Sequence, residues 1–213
     1  MLKQLLLLGL LALASAGKQY AYANANNYQG AFRCSDATKV FTVVIRNSAV
    51  TQRNWVISSR STTNLVGGLW VFNQALNAGS ARNLVDTLIK AMADNDGYMK
   101  THYIVLNQIS ADTPQGVVAA LKTLIIRGVQ HGLEVGIYTS TDDWIRMTGN
   151  STDLPVKVPL WWINDGGNFG SDTPDNFDDF VPFGPFDRSN LVMKQFSKKS
   201  SDECGCGKSV YFV

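Results

Sequence analysis

The chain has 213 residues, enough for one domain with a full hydrophobic core and too few for several. Apolar residues make up 45% of it and charged residues 17%, a globular composition. The formal net charge is +2, and Lys198-Lys199 is the sole adjacent pair of basic residues, which argues against an extended nucleic-acid-binding stripe.

The N-terminus reads as a secretory signal. Lys3 supplies a positive charge, Leu5 to Ala14 is an apolar run too short to span a bilayer, and Ala14-Ser15-Ala16 fits the small-x-small cleavage rule. Residues 1–16 are expected to be removed, leaving 17–213 as a single domain that starts near Gly17. No later stretch is long and apolar enough to hold the mature chain in a membrane, so it is expected in extracellular fluid or an endolysosomal lumen. That compartment permits disulfides. Cys204 and Cys206 are two residues apart, a poor spacing for a mutual bridge, so one long-range bridge from Cys34 to either of them is expected. In the chain-entropy model it would contribute about 4–5 kcal/mol before strain.

Tyr20 to Ala25 suits a first strand, closed by Asn24, Asn26 and Asn27. Ala31 to Thr38 reads as a short helix carrying Cys34, and Val40 to Arg46 as a buried β-branched strand. Gln52 to Thr62 is weakly helical. Gly67-Gly68 reads as a break before the strand Leu69 to Asn73. Ala81 to Met92 has apolar residues at helical spacing and ends at Asp96-Gly97; His102 to Ile109 is another buried strand. Thr113-Pro114 opens a helix that covers Val117 to Gln130 and stops at Gly132, where a positive φ is cheap. Val135 to Tyr138 is a strand, Thr139 to Asp142 a helix cap, and Trp144, Ile145 and Met147 follow at helical spacing. Leu160 to Ile163, Leu191 to Phe196 and Val210 to Phe212 complete about eight strands. Between them lie a loop from Asn164 to Asp179 and a packed irregular stretch, Phe180 to Phe186. This order predicts an α/β fold: an irregular (β/α) TIM-like barrel in one domain, whose last strands lack full helices.

The ordered series GLEVGIYTSTDDWIRMTGN, LWW, DNFDDFVPFGPF, MKQF and Cys204-Gly205 resembles the invertebrate and protist-type lysozymes of glycoside hydrolase family 25, the nematode branch in particular. The likeness is loose over the mature chain and good from Gly132 to Gly205. It implies a (β/α) barrel, a bacterial peptidoglycan partner, a part in antibacterial defence (innate immunity) or digestion, no metal or organic cofactor, and a Cys34–Cys204 pair. It also implies an Asp ending the first strand, an Asp-x-Glu after the fourth and an Asp near the last. These positions read Asn24-Ala25-Asn26, Leu106-Asn107-Gln108 and Lys208-Ser209-Val210, so Ala25 or Asn26, Asn107-Gln108 and Ser209 stand where acids belong. Amides hydrogen-bond but do not move the catalytic proton at neutral pH.

The remaining acids that could serve are Asp165, after the strand at Leu160 to Ile163, and Asp142 and Asp143, after the strand at Val135 to Tyr138. Each has a plain structural alternative, a turn before Gly166-Gly167 for Asp165 and a helix cap for the other two. Asp172, Asp175, Asp178 and Asp179 read as loop solvation and capping, with no calcium-loop spacing. Aromatic Tyr138, Trp144, Trp161 and Trp162 would either pack the core or wall a sugar cleft, with Asn107 and Gln108 adding hydrogen bonds. His102 and His131 read as structural, and no G-x-S-x-G or dinucleotide motif occurs. Asn150-Ser151-Thr152 is a glycosylation sequon. Three functions fit: a muramidase using Asp165 with Asp142 or Asp143, a pseudo-enzyme that binds glycan without turnover, and a secreted scaffold.

Overall fold

A computed structural model describes residues 19–24, 37–46, 49–50, 65–72, 78–94, 99–106, 113–166, 172–197 and 208–211. The strands are β1 (Gln19–Asn24), β2 (Ala37–Arg46), β3 (Ala49–Val50), β4 (Leu65–Val71), β5 (Thr101–Val105), β6 (Glu134–Thr139), β7 (Leu160–Ile163), β8 (Leu191–Ser197) and β9 (Lys208–Tyr211). The helices are α1 (Ala78–Asp94), α2 (Pro114–Gln130) and α3 (Thr141–Thr148). Sheet order is β1-β9-β8-β7-β6-β5-β4-β2-β3, and β1 also pairs with β2. The ladder therefore returns to its start through β1, which joins β2 in parallel and β9 antiparallel. β3 is a short antiparallel appendage on β2.

Alternation along the ring strands makes two cores. Phe41, Leu69, Tyr103, Val105, Tyr138, Trp161 and Met193, from six strands, form the inner one. Trp161 is its hub, with ring centroids 5.0 Å from Phe41, 5.4 Å from Tyr103 and 4.6 Å from Tyr138. On the other face of the strands, Trp70, Ile104, Ile137 and Leu160 pack with Leu84, Val85 and Leu88 of α1, Leu121 and Leu124 of α2, and Trp144 and Met147 of α3. The helical periodicity seen in the sequence supplies these faces. Arg127 of α2 ties to Asp86 of α1 at 2.6 Å, and His131 reaches the same carboxylate at 3.2 Å.

Local rules place the helix ends. Thr113 caps α2 by accepting the Gly116 amide at 3.2 Å, with Pro114 in the first turn. Gly132 adopts φ 78° beyond its end, as its position predicts.

Several expectations need correction. Gly67-Gly68 is no break but lies inside β4. A Cβ at Gly67 would sit 2.2 Å from the Thr101 carbonyl, and one at Gly68 2.5 Å from His102 Nδ1, so only glycine lets β5 and the His102 ring approach. Ala37 and Thr38, read as the end of a helix, belong to β2, where Ala37 pairs with Tyr20 of β1 and Thr38 falls at a register shift. The rest of that helix with Cys34, the segment Gln52 to Thr62, and Cys204 and Cys206 lie outside the described residues, as do residues 1–16. His102 is fully buried and structural: it accepts from Trp70 Nε1 at 3.1 Å and donates to the Met99 carbonyl at 2.9 Å.

Candidate functional site

The parallel strands β2, β4, β5, β6, β7 and β8 share one direction, so their C-terminal ends lie at one mouth. There the ends of β6 and β7 and the start of α3 enclose a cleft of about 320 Å³. Ser140, Thr141, Asp142, Asp143, Trp162, Ile163, Asn164 and Asp165 line it. The three acids singled out in the sequence thus meet in one place.

Their surroundings differ. Ser140 is the N-cap of α3: its Oγ accepts the Asp143 amide at 3.0 Å and donates to the Asp143 carboxylate at 2.8 Å. Arg146, one turn on, pairs with that carboxylate as well. Asp143 is therefore committed to the helix start. Asp142 is exposed in the first turn, where the helix dipole favours an anion.

Asp165 is 5% exposed, just beyond β7 and before Gly166, whose φ is 74°. Its Oδ2 accepts from Gln195 Nε2 at 2.7 Å. The Oε1 of the same amide accepts the Tyr138 hydroxyl. A hydroxyl donor at one end and a carboxylate at the other leave the Gln195 amide a single orientation. The buried chain Tyr138–Gln195–Asp165 runs from the inner core to the cleft. Gln195 lay within the MKQF motif but was not singled out as a site residue; only the pairing of β7 with β8, Ile163 opposite Gln195, brings it to Asp165.

The aromatic wall needs correction. Trp144 has no exposed surface; it packs edge-on against Phe186 at 4.9 Å and donates Nε1 to the Ser151 carbonyl at 3.2 Å. Trp161 is fully buried in the inner core. Tyr138 lies against Trp161, so its ring face is taken up in packing while its hydroxyl donates to Gln195. Trp162 lines the cleft but is 5% exposed, with Phe180 edge-on at 5.1 Å and the Lys194 ammonium 5.2 Å from its ring centroid. A ring of this size fills itself with large side chains, and its aromatics are consumed as packing.

The loop acids also do more than solvate: Asp179 holds buried Lys194, Asp172 accepts the Ser197 hydroxyl at 2.6 Å, and Asp178 pairs with Arg188 at 3.5 Å. Asn164 connects the cleft to this loop by donating to Asp179 at 2.8 Å.

Of the positions where the resemblance implies acids, Asn24 ends β1 and Leu106 follows β5, the fourth strand of the ring, as a fully buried core residue. Ser209 lies in β9 in register with Gln195 and Ala21. Ala25, Asn26, Asn107 and Gln108 lie outside the described residues. Among the described residues, no group of three or more His, Cys, Asp and Glu is placed to hold a metal ion, and no helix is long and apolar enough to cross a membrane.

The family model described as lysozyme-like protein 1 matches residues 18–196. Lysozyme-like protein 2 of Caenorhabditis elegans is 30% identical over 128 residues, which is 59% of this chain and 45% of that protein. The chain thus spans less than half the length of this relative. Among solved structures, a family GH25 lysozyme from Aspergillus fumigatus superposes with a TM-score of 0.65 at 15% identity, over 92% of this chain and 95% of that one. The modular Cpl-1 endolysin, complexed with a peptidoglycan analogue, gives 0.62 at 13% identity over 92% and 54%. At such identities the structures establish a shared fold, that of a family GH25 lysozyme, and the family model establishes kinship: the chain belongs to the lysozyme-like family.

Proposed function

We propose that the protein binds the glycan of bacterial peptidoglycan in the cleft between β6, β7 and α3, with little or no hydrolysis, in antibacterial defence or digestion. The observation that carries this reading is the state of the carboxylates. Asp143 is held by Ser140 and Arg146, and Asp165 is buried and held by Gln195. A glycosidase sets two carboxyl groups roughly 5–10 Å apart across the scissile bond and leaves both able to exchange protons or attack. Binding asks less. Asp142, Ser140 and Asn164 offer acceptors and donors suited to sugar hydroxyls, and the fixed Gln195 amide keeps Asp165 in place for the same purpose. The likeness to an endolysin solved with a peptidoglycan analogue supports the choice of ligand. The Lys3, Leu5–Ala14 and Ala14-Ser15-Ala16 pattern supports delivery outside the cell or to an endolysosomal lumen.

One observation favours a second reading, hydrolysis by Asp165 with Asp142: both line the same cleft, Asp165 from just beyond β7 and Asp142 from the first turn of α3. The test uses mature protein on purified bacterial cell walls, with turbidity loss and co-sedimentation read side by side. Retention without clearing, weakened in Asp165→Asn, is expected. Robust clearing that Asp165→Asn or Asp142→Asn abolishes would overturn the binding reading in favour of the enzyme. Neither clearing nor retention would leave a scaffold.

A further inference from the structure

Asn150 is the acceptor of the one Asn-x-Ser/Thr sequence in the chain, followed by Ser151 and Thr152. It is exposed, directly after the α3 cap Gly149, and continues the left-handed turn with φ 60° after φ 66°. Asn is the non-glycine residue that accepts this backbone most readily. Its side chain has a structural task. Oδ1 accepts the Gly184 amide at 2.8 Å, which clasps the end of α3 to the turn between Phe183 and Phe186. Beneath the clasp, Trp144 donates to the Ser151 carbonyl at 3.2 Å.

A backbone N–H can only be met by the amide oxygen, so the Gly184 donor settles which end of the Asn150 amide faces inward. Nδ2 is then the outward end of an exposed side chain. N-glycosylation uses Nδ2 alone and retains the carbonyl oxygen. The covalent product and the Gly184 clasp are therefore compatible on the same residue. The position also lies at the other end of α3 from the cleft. Asp142 stands in the first turn of α3 and Asn150 just past its last, so the eight-residue helix separates them. At the usual rise per residue this is about 12 Å along the axis.

We propose that Asn150 carries an N-linked glycan, set at the far end of α3 from its cleft-lining first turn and leaving glycan recognition there unobstructed. The inference rests on the secretory reading of residues 1–16, because the modification needs a lipid-linked oligosaccharide donor in the secretory lumen. Nδ2 attacks the anomeric carbon of that donor. The new C–N bond replaces the C–O bond to the pyrophosphate, Nδ2 gives up one proton, and the lipid pyrophosphate leaves. Thr152, exposed, completes the sequon without joining the clasp, whose contacts are Asn150 with Gly184 and Trp144 with Ser151.

The test expresses the full chain in eukaryotic secretory cells, once with its own N-terminal segment and once with residues 1–16 replaced by a proven cleavable signal. The secreted protein is examined by intact mass and by peptide mapping after enzymatic deglycosylation, which converts a glycosylated Asn to Asp. With either leader, Asn150 should be read as Asp after deglycosylation. Thr152→Ala should lose the glycan while keeping its cell-wall retention and melting temperature. Asn150→Asp should lose it too, while keeping an oxygen for Gly184. Secreted, folded protein with an unmodified Asn150 overturns the proposal. Glycosylation with the replacement leader but not the native segment would uphold Asn150 as the acceptor while defeating the signal assignment. Weakened cell-wall retention on glycosylation, relative to Thr152→Ala, would refute the unobstructed placement.

Discussion

Lys194, whose side chain has no exposed surface, holds both carboxylate oxygens of Asp179 at 2.7 Å. It also donates to the Pro174 carbonyl at 2.7 Å, and its ammonium lies over Trp162. The pair fastens the loop after β7 onto β8 and so supports the floor of the cleft through Asn164. A buried charge that loses its partner is far costlier than one that never had it. Asp179→Ala should lower unfolding free energy by about 3–5 kcal/mol. Denaturant titration checks this, and a loss under ~1 kcal/mol would show that the loop is held by other contacts.

Trp144→Ala separates stacking from packing. The residue is fully buried among Phe186, the Ser151 carbonyl and Gly184. Its truncation should cost about 3–5 kcal/mol, with cell-wall retention falling only as far as folded protein is lost. Retention abolished in a variant of wild-type stability would instead make Trp144 a ligand contact.

Gly184→Ala probes the same contact from the opposite side. Gly184 has φ 50°, and a Cβ there would come 2.1 Å from Trp144 Nε1. Overpacking of this kind costs roughly 1–3 kcal/mol, to which the left-handed backbone adds ~1–2 kcal/mol. Thermal unfolding should show the drop; an unchanged melting temperature would contradict the tight clasp.

Burial holds the His102 imidazole down to about 4 from 6.5, partly offset by its bond to the Met99 carbonyl. Between these two values the unfolded chain carries a proton at His102 that the folded chain does not. Stability is therefore fully present above about pH 6.5 and declines as the pH falls toward about 4. The span corresponds to ~3 kcal/mol. Urea midpoints measured across this window should fall in the wild type and fall less steeply in His102→Gln. Parallel slopes would assign the acid sensitivity to other groups.

Tyr138→Phe removes the donor to Gln195 and leaves a buried amide oxygen short of a partner. The cost should be about 1–3 kcal/mol, with weaker cell-wall retention because the amide that positions Asp165 is freed to turn. Retention equal to wild type would disconnect the buried chain from recognition.

Much of the fold is legible along the chain because its signals are local. The apolar spacing of α1 and α2, the Thr113-Pro114 start, the Gly132 stop and the Ser140 cap each act within a few residues, and each appears where the sequence puts it. The strand at Leu160 to Ile163 keeps its expected bounds for the same reason. The residues that stand where the resemblance implies acids are likewise read from the sequence alone. What required the tertiary structure is whatever depends on partners distant in the chain. Gly67-Gly68 reads as a break until β5 and His102 stand against it. Trp144 and Trp161 read equally as cleft or core until the ring closes and claims them as filling. Asp179 reads as a solvated loop acid until Lys194, 15 residues away, is seen buried beneath it. Gln195 gains its place only because parallel β7 and β8 set it beside Asp165, 30 residues earlier. Periodicity and capping are written in neighbouring residues, whereas burial and charge pairing are decided by which strands the barrel brings side by side.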